Sequence, residues 1–135
     1  MRKQTRRNFL AATSILGGSL AASAMPLESK QSKKQVVHHV FFWLKNPNSK
    51  EDLAKLLAGL QTLKRIETVK AIHIGVTAKT EERSVVDATF SASELLFFDD
   101  LAGQKTYQDH PIHLEFIKNC SALWDKVIVY DSIDI

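Results

Sequence analysis

At 135 residues, with 44% hydrophobic and 24% charged side chains, the chain has the size and composition of a single globular domain. Its formal net charge of +3 misleads, because Arg2, Lys3, Arg6 and Arg7 all fall in the first 24 residues, which hold no Asp or Glu. The remainder carries 14 basic and 15 acidic residues, a balance of −1, which excludes a basic nucleic-acid footprint there, and the lone Cys120 excludes an intrachain disulfide.

Residues 1–24 read as a targeting segment. A basic start, MRKQTRR, leads into a modestly apolar run from Phe9 to Leu20 broken by Gly17 and Gly18, and Ala22-Ser23-Ala24 supplies the small residues of a cleavage site. Arg6-Arg7 followed by Asn8-Phe9-Leu10 is the pattern of a twin-arginine export signal. The expectation is cleavage after Ala24 and an exported, periplasmic or extracytoplasmic destination. No stretch of the chain approaches membrane-spanning length in unbroken apolar residues, so stable membrane insertion is not expected. Residues 25–35, MPLESKQSKKQ, are polar and read as a solvated linker.

Val36 to Lys45 is the first expected strand, rich in Val, Phe and Trp and apolar on both faces. His38 and His39 are adjacent, so they point to opposite faces and cannot enter one pocket together. Asn46-Pro47-Asn48 breaks the strand, and Ser49 with Asp52 forms a helix start. Leu53, Leu56, Leu57, Leu60 and Leu63 then trace an amphipathic helix ending near Ile66, a core stripe without chemistry. Val69 to Val76 is a second strand, with Ile72, Ile74 and Val76 on one face and Ala71, His73 and Gly75 on the other; His73 is expected at solvent or an interface. A charged connector, residues 78–87, leads to a third strand over about Phe90 to Phe98. Asp99-Asp100 opens a short helical piece reaching Tyr107, which Gly103 weakens to the point of irregularity.

The stretch from Tyr107 to His113, YQDHPIH, gathers a phenol and two imidazoles in seven residues. Pro111 suits a first helical position and pushes His110 out of the α region. From there Ile112, Phe116, Ile117, Cys120, Leu123 and Trp124 recur at helical spacing, which turns His113 inward beside an apolar face. A lone inward His also serves as a core residue bonded to a backbone carbonyl, and this stretch by itself allows either role. Cys120 on the same face reads as a buried small hydrophobe. Lys126 to Ile133 closes the set as a last strand.

A Tyr, two variable residues and H-P-x-H opening an amphipathic helix resemble the stress-responsive A/B barrel (Dabb) domain family. The His-bearing first strand VVHHVFFWLK, a second strand ending near Gly75, a third ending in Phe98-Asp99 and the closing KVIVYDSI fit the same family in order and spacing, over about residues 36–133. The element order is strand, helix, strand, strand, helical pieces, strand. This is the split βαβ, ferredoxin-like α+β arrangement with a four-stranded antiparallel sheet. One helical layer leaves the second sheet face bare, and pairing two sheets in a homodimer covers it. The resemblance implies the same dimeric α+β barrel.

In the family, members similar to plant polyketide cyclases use a Tyr and a His at the positions of Tyr107 and His113, and the strand His matches His39 by register. The resemblance therefore implies Tyr107, His113 and His39 as catalytic candidates around a small, partly apolar ligand. His113 would exchange a proton and Tyr107 would polarise an oxygen. Those cyclases carry a further His on the third strand, where this chain has Ala92, so their reaction is not transferred. A ligand-binding or structural stress-associated dimer without turnover is the rival reading. Haem or metal binding through His110 and His113 is a third: no carboxylate or further His lies nearby in sequence, and the expectation is no cofactor and no metal. His38 is expected outside the pocket.

Overall fold

The computed structural model describes residues 33–135; the expected export signal and most of the expected linker lie outside them. The elements are β1 (Val36–Leu44), α1 (Lys50–Thr62) with a 3-10 turn at Leu63–Arg65, β2 (Ala71–Val76), β3 (Ala92–Phe98), α2 (Leu101–Asp109), α3 (Pro111–Cys120) with a 3-10 turn at Ser121–Leu123, and β4 (Trp124–Ile133). The strands form one antiparallel sheet in the order β2-β3-β1-β4. This is the ferredoxin-like α+β arrangement expected from the element order.

Local chemistry sets the helix ends. The Ser49 hydroxyl accepts from the Asp52 amide at 3.1 Å and starts α1. The Asp100 carboxylate accepts from the Gly103 amide at 2.7 Å and starts α2. That cap makes α2 a regular helix of nine residues, where Gly103 had suggested an irregular piece. His110 ends α2 and begins α3 in extended conformation (φ −65°, ψ 138°), as the following Pro111 requires, and its Nδ1 accepts from the Ile112 amide at 3.1 Å.

Alternation in β1 is complete: Val36, His38, Val40, Phe42 and Leu44 are buried, and the residues between them are half-buried. The buried set faces the helices. There Leu56, Leu60 and Leu63 of the first helical segment, Leu96 and Phe98 of β3, Tyr107 and Phe116 complete the core. α1 and α3 approach closely at Gly59, where an added Cβ would stand 2.5 Å from Cys120 Sγ and 3.0 Å from the Phe116 ring. Trp124, expected on the last helix, begins β4 instead. The 3-10 turn ends the helical phase, and the indole packs on Phe42 and Phe116 with ring centres 5.0 and 5.8 Å away.

The opposite sheet face carries Val37, His39, Phe41, Leu95, Phe97, Ile128 and Tyr130 by strand parity and register. None of the described helices covers it. Phe41 is the centre of an aromatic group there, with His39 at 4.2 Å, Phe90 at 5.0 Å and Tyr130 at 6.1 Å between ring centres. Tyr130 remains 62% exposed.

Candidate active site

Between the sheet and α3 lies a cavity of about 140 Å³. Its apolar walls include Val40, Phe42, Phe116 and Trp124, and its polar lining comes from His38, Glu94, Gln108 and His113. Each polar group arrives there for a local reason. His113 is in the first turn of α3, on the inward side set by the helix start at Pro111. His38 is on the buried parity of β1. Glu94 pairs with Val40 across β1 and shares its face with Ala92, Leu96 and Phe98.

The two imidazoles are held alike. His113 Nδ1 lies 3.0 Å from the Gln108 carbonyl, which only accepts, so Nδ1 carries the hydrogen and Nε2 is left with its lone pair. His38 Nδ1 lies 2.5 Å from Asp131 Oδ1, a carboxylate on the adjacent β4 strand. That bond again places the hydrogen on Nδ1 and leaves Nε2 for a ligand. Burial lowers the pKa of His113, against a smaller opposing effect of the Gln108 carbonyl. It is therefore a neutral base near physiological pH.

Tyr107 is fully buried behind these groups. Its ring packs at a tilt on His113, with ring centres 4.6 Å apart, and meets His38 edge-on at 5.7 Å. Its hydroxyl donates to Glu94 Oε1 across a long 3.4 Å. Burial, and then the neighbouring Glu94 charge, push its pKa far up, so the phenol keeps its proton. Tyr107 therefore stands next to His113, but it does not line the cavity where it was expected, and its hydroxyl is engaged by Glu94.

Two expectations are corrected. His39 does not join Tyr107 and His113: it sits on the bare sheet face against Phe41, and His38 takes the place assigned to it. Both faces of β1 are apolar, so the alternation alone did not say which face the helices cover. Glu94 was missed altogether. It is 2% exposed, its Oε2 has no hydrogen-bond partner among the described residues, and burial pushes its pKa up to about 8. The signal was present in ASELLFF, where period-two parity puts the acid on the same face as Leu96 and Phe98.

His110 and His113 do not form a ligand pair. His110 Nε2 lies 3.3 Å from Glu67, while His113 turns to Gln108. Among the described residues no group of three or more His, Cys, Asp or Glu side chains has metal-binding geometry. Cys120 is buried, as expected for a core thiol, and burial raises its pKa.

A ferredoxin-like sheet with acid and base groups in the cavity under its helices defines a small α+β barrel domain with a polar-centred pocket. The family model of the Stress responsive A/B Barrel Domain, Dabb, matches residues 36–134, and the chain belongs to that family. Among solved structures, it is similar to a Dabb family protein with a ferredoxin-like fold from Mesorhizobium loti, at 20% identity over 76% of this chain and 98% of that one, with a TM-score of 0.63. A dimeric ferredoxin-like protein of unknown function from Thermobifida fusca is 15% identical over 73% and 90%, with a TM-score of 0.60. A hydroxynitrile lyase from Passiflora edulis is 23% identical over 76% and 95%, with a TM-score of 0.63. At these identities the likeness concerns the fold. No match is found among curated proteins.

Proposed function

We propose that this chain is an exported, dimeric Dabb protein that binds a small, partly apolar molecule in the His38/His113 cavity and performs cofactor-free acid/base chemistry on it. One observation carries the reading. Two imidazoles, each with Nδ1 committed to a fixed acceptor, line the same apolar cavity. A core His needs one satisfied nitrogen and no cavity; two such groups beside a cavity suit proton transfer. His113 is the base nearest Tyr107, and Tyr107 acts on the pocket through its contacts with His113 and Glu94.

The bare aromatic sheet face supports the dimer, since an apolar patch of that kind is ordinarily covered; solved ferredoxin-like relatives are described as dimeric. Export rests on the twin-arginine pattern at Arg6-Arg7 and the small-residue site at Ala22-Ser23-Ala24. A hydroxynitrile lyase of the same fold is consistent with small-molecule chemistry on this scaffold.

The test is ligand-observed NMR with a panel of single-ring aldehydes, ketones and phenols. Wild type should bind members of the panel, and His113→Ala and His38→Ala should each lose binding while keeping the far-UV spectrum. Large loss of stability in both variants with binding unchanged would assign the two histidines to the core and end this reading.

A further inference from the structure

Glu94 is the group in the pocket that packing does not account for. It lies in the middle of β3, opposite Val40 on one side and Ile74 on the other. Its one side-chain hydrogen bond is the long contact with the Tyr107 hydroxyl, and Oε2 is buried without any partner among the described residues. No Lys, Arg or His is in salt-bridge contact with it among the described residues. Buried polar atoms are nearly always satisfied, and one left open beside a cavity is set for a group that arrives. His38 and Glu94 are diagonal neighbours across β1 and β3, since His38 pairs with Leu96 and Val40 with Glu94. Diagonal neighbours stand about 7–8 Å apart at the backbone, which leaves room for a substrate's few atoms between their side chains.

Resting on the pocket reading above, we infer that Glu94 is the acid of a proton-transfer pair with His38, acting on a small uncharged carbonyl compound. Oε2 holds the hydrogen that meets the carbonyl oxygen. His38 Nε2, oriented by Asp131, faces the adjacent carbon. The C–H bond breaks toward Nε2, its electron pair forms the C=C bond, and the carbonyl π pair moves to oxygen, which takes the Glu94 proton. The product is the enol, with Glu94 as carboxylate and His38 as imidazolium. The enol O–H proton then returns to the Glu94 carboxylate as the C=O bond re-forms, and the imidazolium gives its proton to the same or another carbon. This regenerates the enzyme and leaves an exchanged or isomerised carbonyl compound. No oxidant, reductant or second substrate is consumed.

The surroundings fit an uncharged substrate. Glu94 keeps its proton at neutral pH because burial dominates. Besides Glu94, the titratable side chains lining the cavity are His38 from β1 and His113 from α3. Asp131 of β4 and Tyr107 of α2 reach it only through their bonds to His38 and Glu94. β2 and α1 contribute no lining residue, with Ile74 and the α1 leucines belonging to the core. Arg and Lys are absent from the lining, so a carboxylate or phosphate substrate would have no counter-charge. An apolar cavity of about 150 Å³ accepts one benzene-sized molecule, so the volume here suits a single ring or a short chain.

The probe is cyclohexanone, in D₂O. Proton NMR follows exchange of its α-hydrogens for deuterium, and saturation transfer reports binding. Wild type should bind the ketone and speed exchange. Glu94→Gln keeps the shape and offers an N–H to the oxygen but no transferable proton, so it should bind similarly and lose 10²–10⁴-fold of the exchange rate. Asp131→Asn should lower exchange and shift its pH profile, while leaving binding in place. Equal exchange by Glu94→Gln and wild type overturns the inference and leaves the pocket reading standing, as does binding by wild type without exchange. No binding of cyclohexanone or of any member of the aldehyde, ketone and phenol panel by wild type overturns both. Infrared absorption of a protonated carboxyl, lost in Glu94→Gln and moved by cyclohexanone, gives an independent check; its absence from wild type at pH 6 overturns the inference.

Discussion

Glu94→Gln also tests the electrostatics of the pocket without any substrate. Burial raises the carboxyl from its ordinary 4.5 to about 8 in the folded protein. Between those values the folded chain holds a proton that the unfolded chain has released. This contribution to stability is therefore fully present below pH 4.5 and is lost as pH rises through about 8. A shift of that size corresponds to about 5 kcal/mol, with a limiting slope of roughly 1.4 kcal/mol per pH unit. His39 and His113, whose pKa values are lowered, act in the opposite sense: their contribution is present above the ordinary 6.5 and falls away in acid. The difference between variant and wild type removes them. Urea unfolding, followed by Trp fluorescence at one protein concentration from pH 4.5 to 8.5, should show Glu94→Gln gaining on wild type by about 4 kcal/mol across the range, since at pH 4.5 the unfolded carboxyl is itself half protonated. Staying below pH 9 avoids Cys120 and Tyr107, both raised by burial. Two curves that stay parallel would mean that Glu94 is solvated or paired, and the reasoning about the pocket would fail.

Replacing Gly59 by Ala should lower stability by about 1–2 kcal/mol despite better helix propensity, because the new methyl meets Cys120 and Phe116; a neutral or stabilising result in thermal melts would show that α3 moves aside freely. His113→Ala should lower stability by roughly 1–3 kcal/mol through lost packing on Tyr107 and the freed Gln108 carbonyl, and abolish ligand binding as well; calorimetry and NMR on the same sample separate the two effects. Phe41→Glu puts a charge at the centre of the bare sheet face and should yield a monomer by light scattering at micromolar concentration; an unchanged dimer mass would move the interface elsewhere. Lys at both Arg6 and Arg7 should block export, and exported wild type should begin at Met25 by N-terminal sequencing; export by the double variant would point to the general secretory route.

The element order was legible along the chain because each element carries its own local signal. Ser49 with Asp52, the leucine stripe and the His110-Pro111 break are contacts within a turn or two, and the structure realises each of them. His113 was legible as an inward residue because helical spacing ties it to Phe116 and Cys120. Trp124 was misplaced because helical spacing continues past Cys120 in the sequence, while the chain turns through a 3-10 segment into β4. The choice between His38 and His39 was a tertiary decision. Both faces of β1 are apolar, and only the packing of Leu56, Leu60 and Tyr107 onto one of them fixed which His enters the cavity. The Asp131 contact spans 93 residues and the Tyr107–Glu94 contact joins an antiparallel strand to a helix beyond it. Sequence by itself determined the elements, their order and the inward His of α3, since those depend on spacing along one segment. Tertiary structure alone brought His38, Glu94 and His113 to one cavity and set Asp131 and Tyr107 against them, because strand register and helix docking decide which side chains meet and which lose their water.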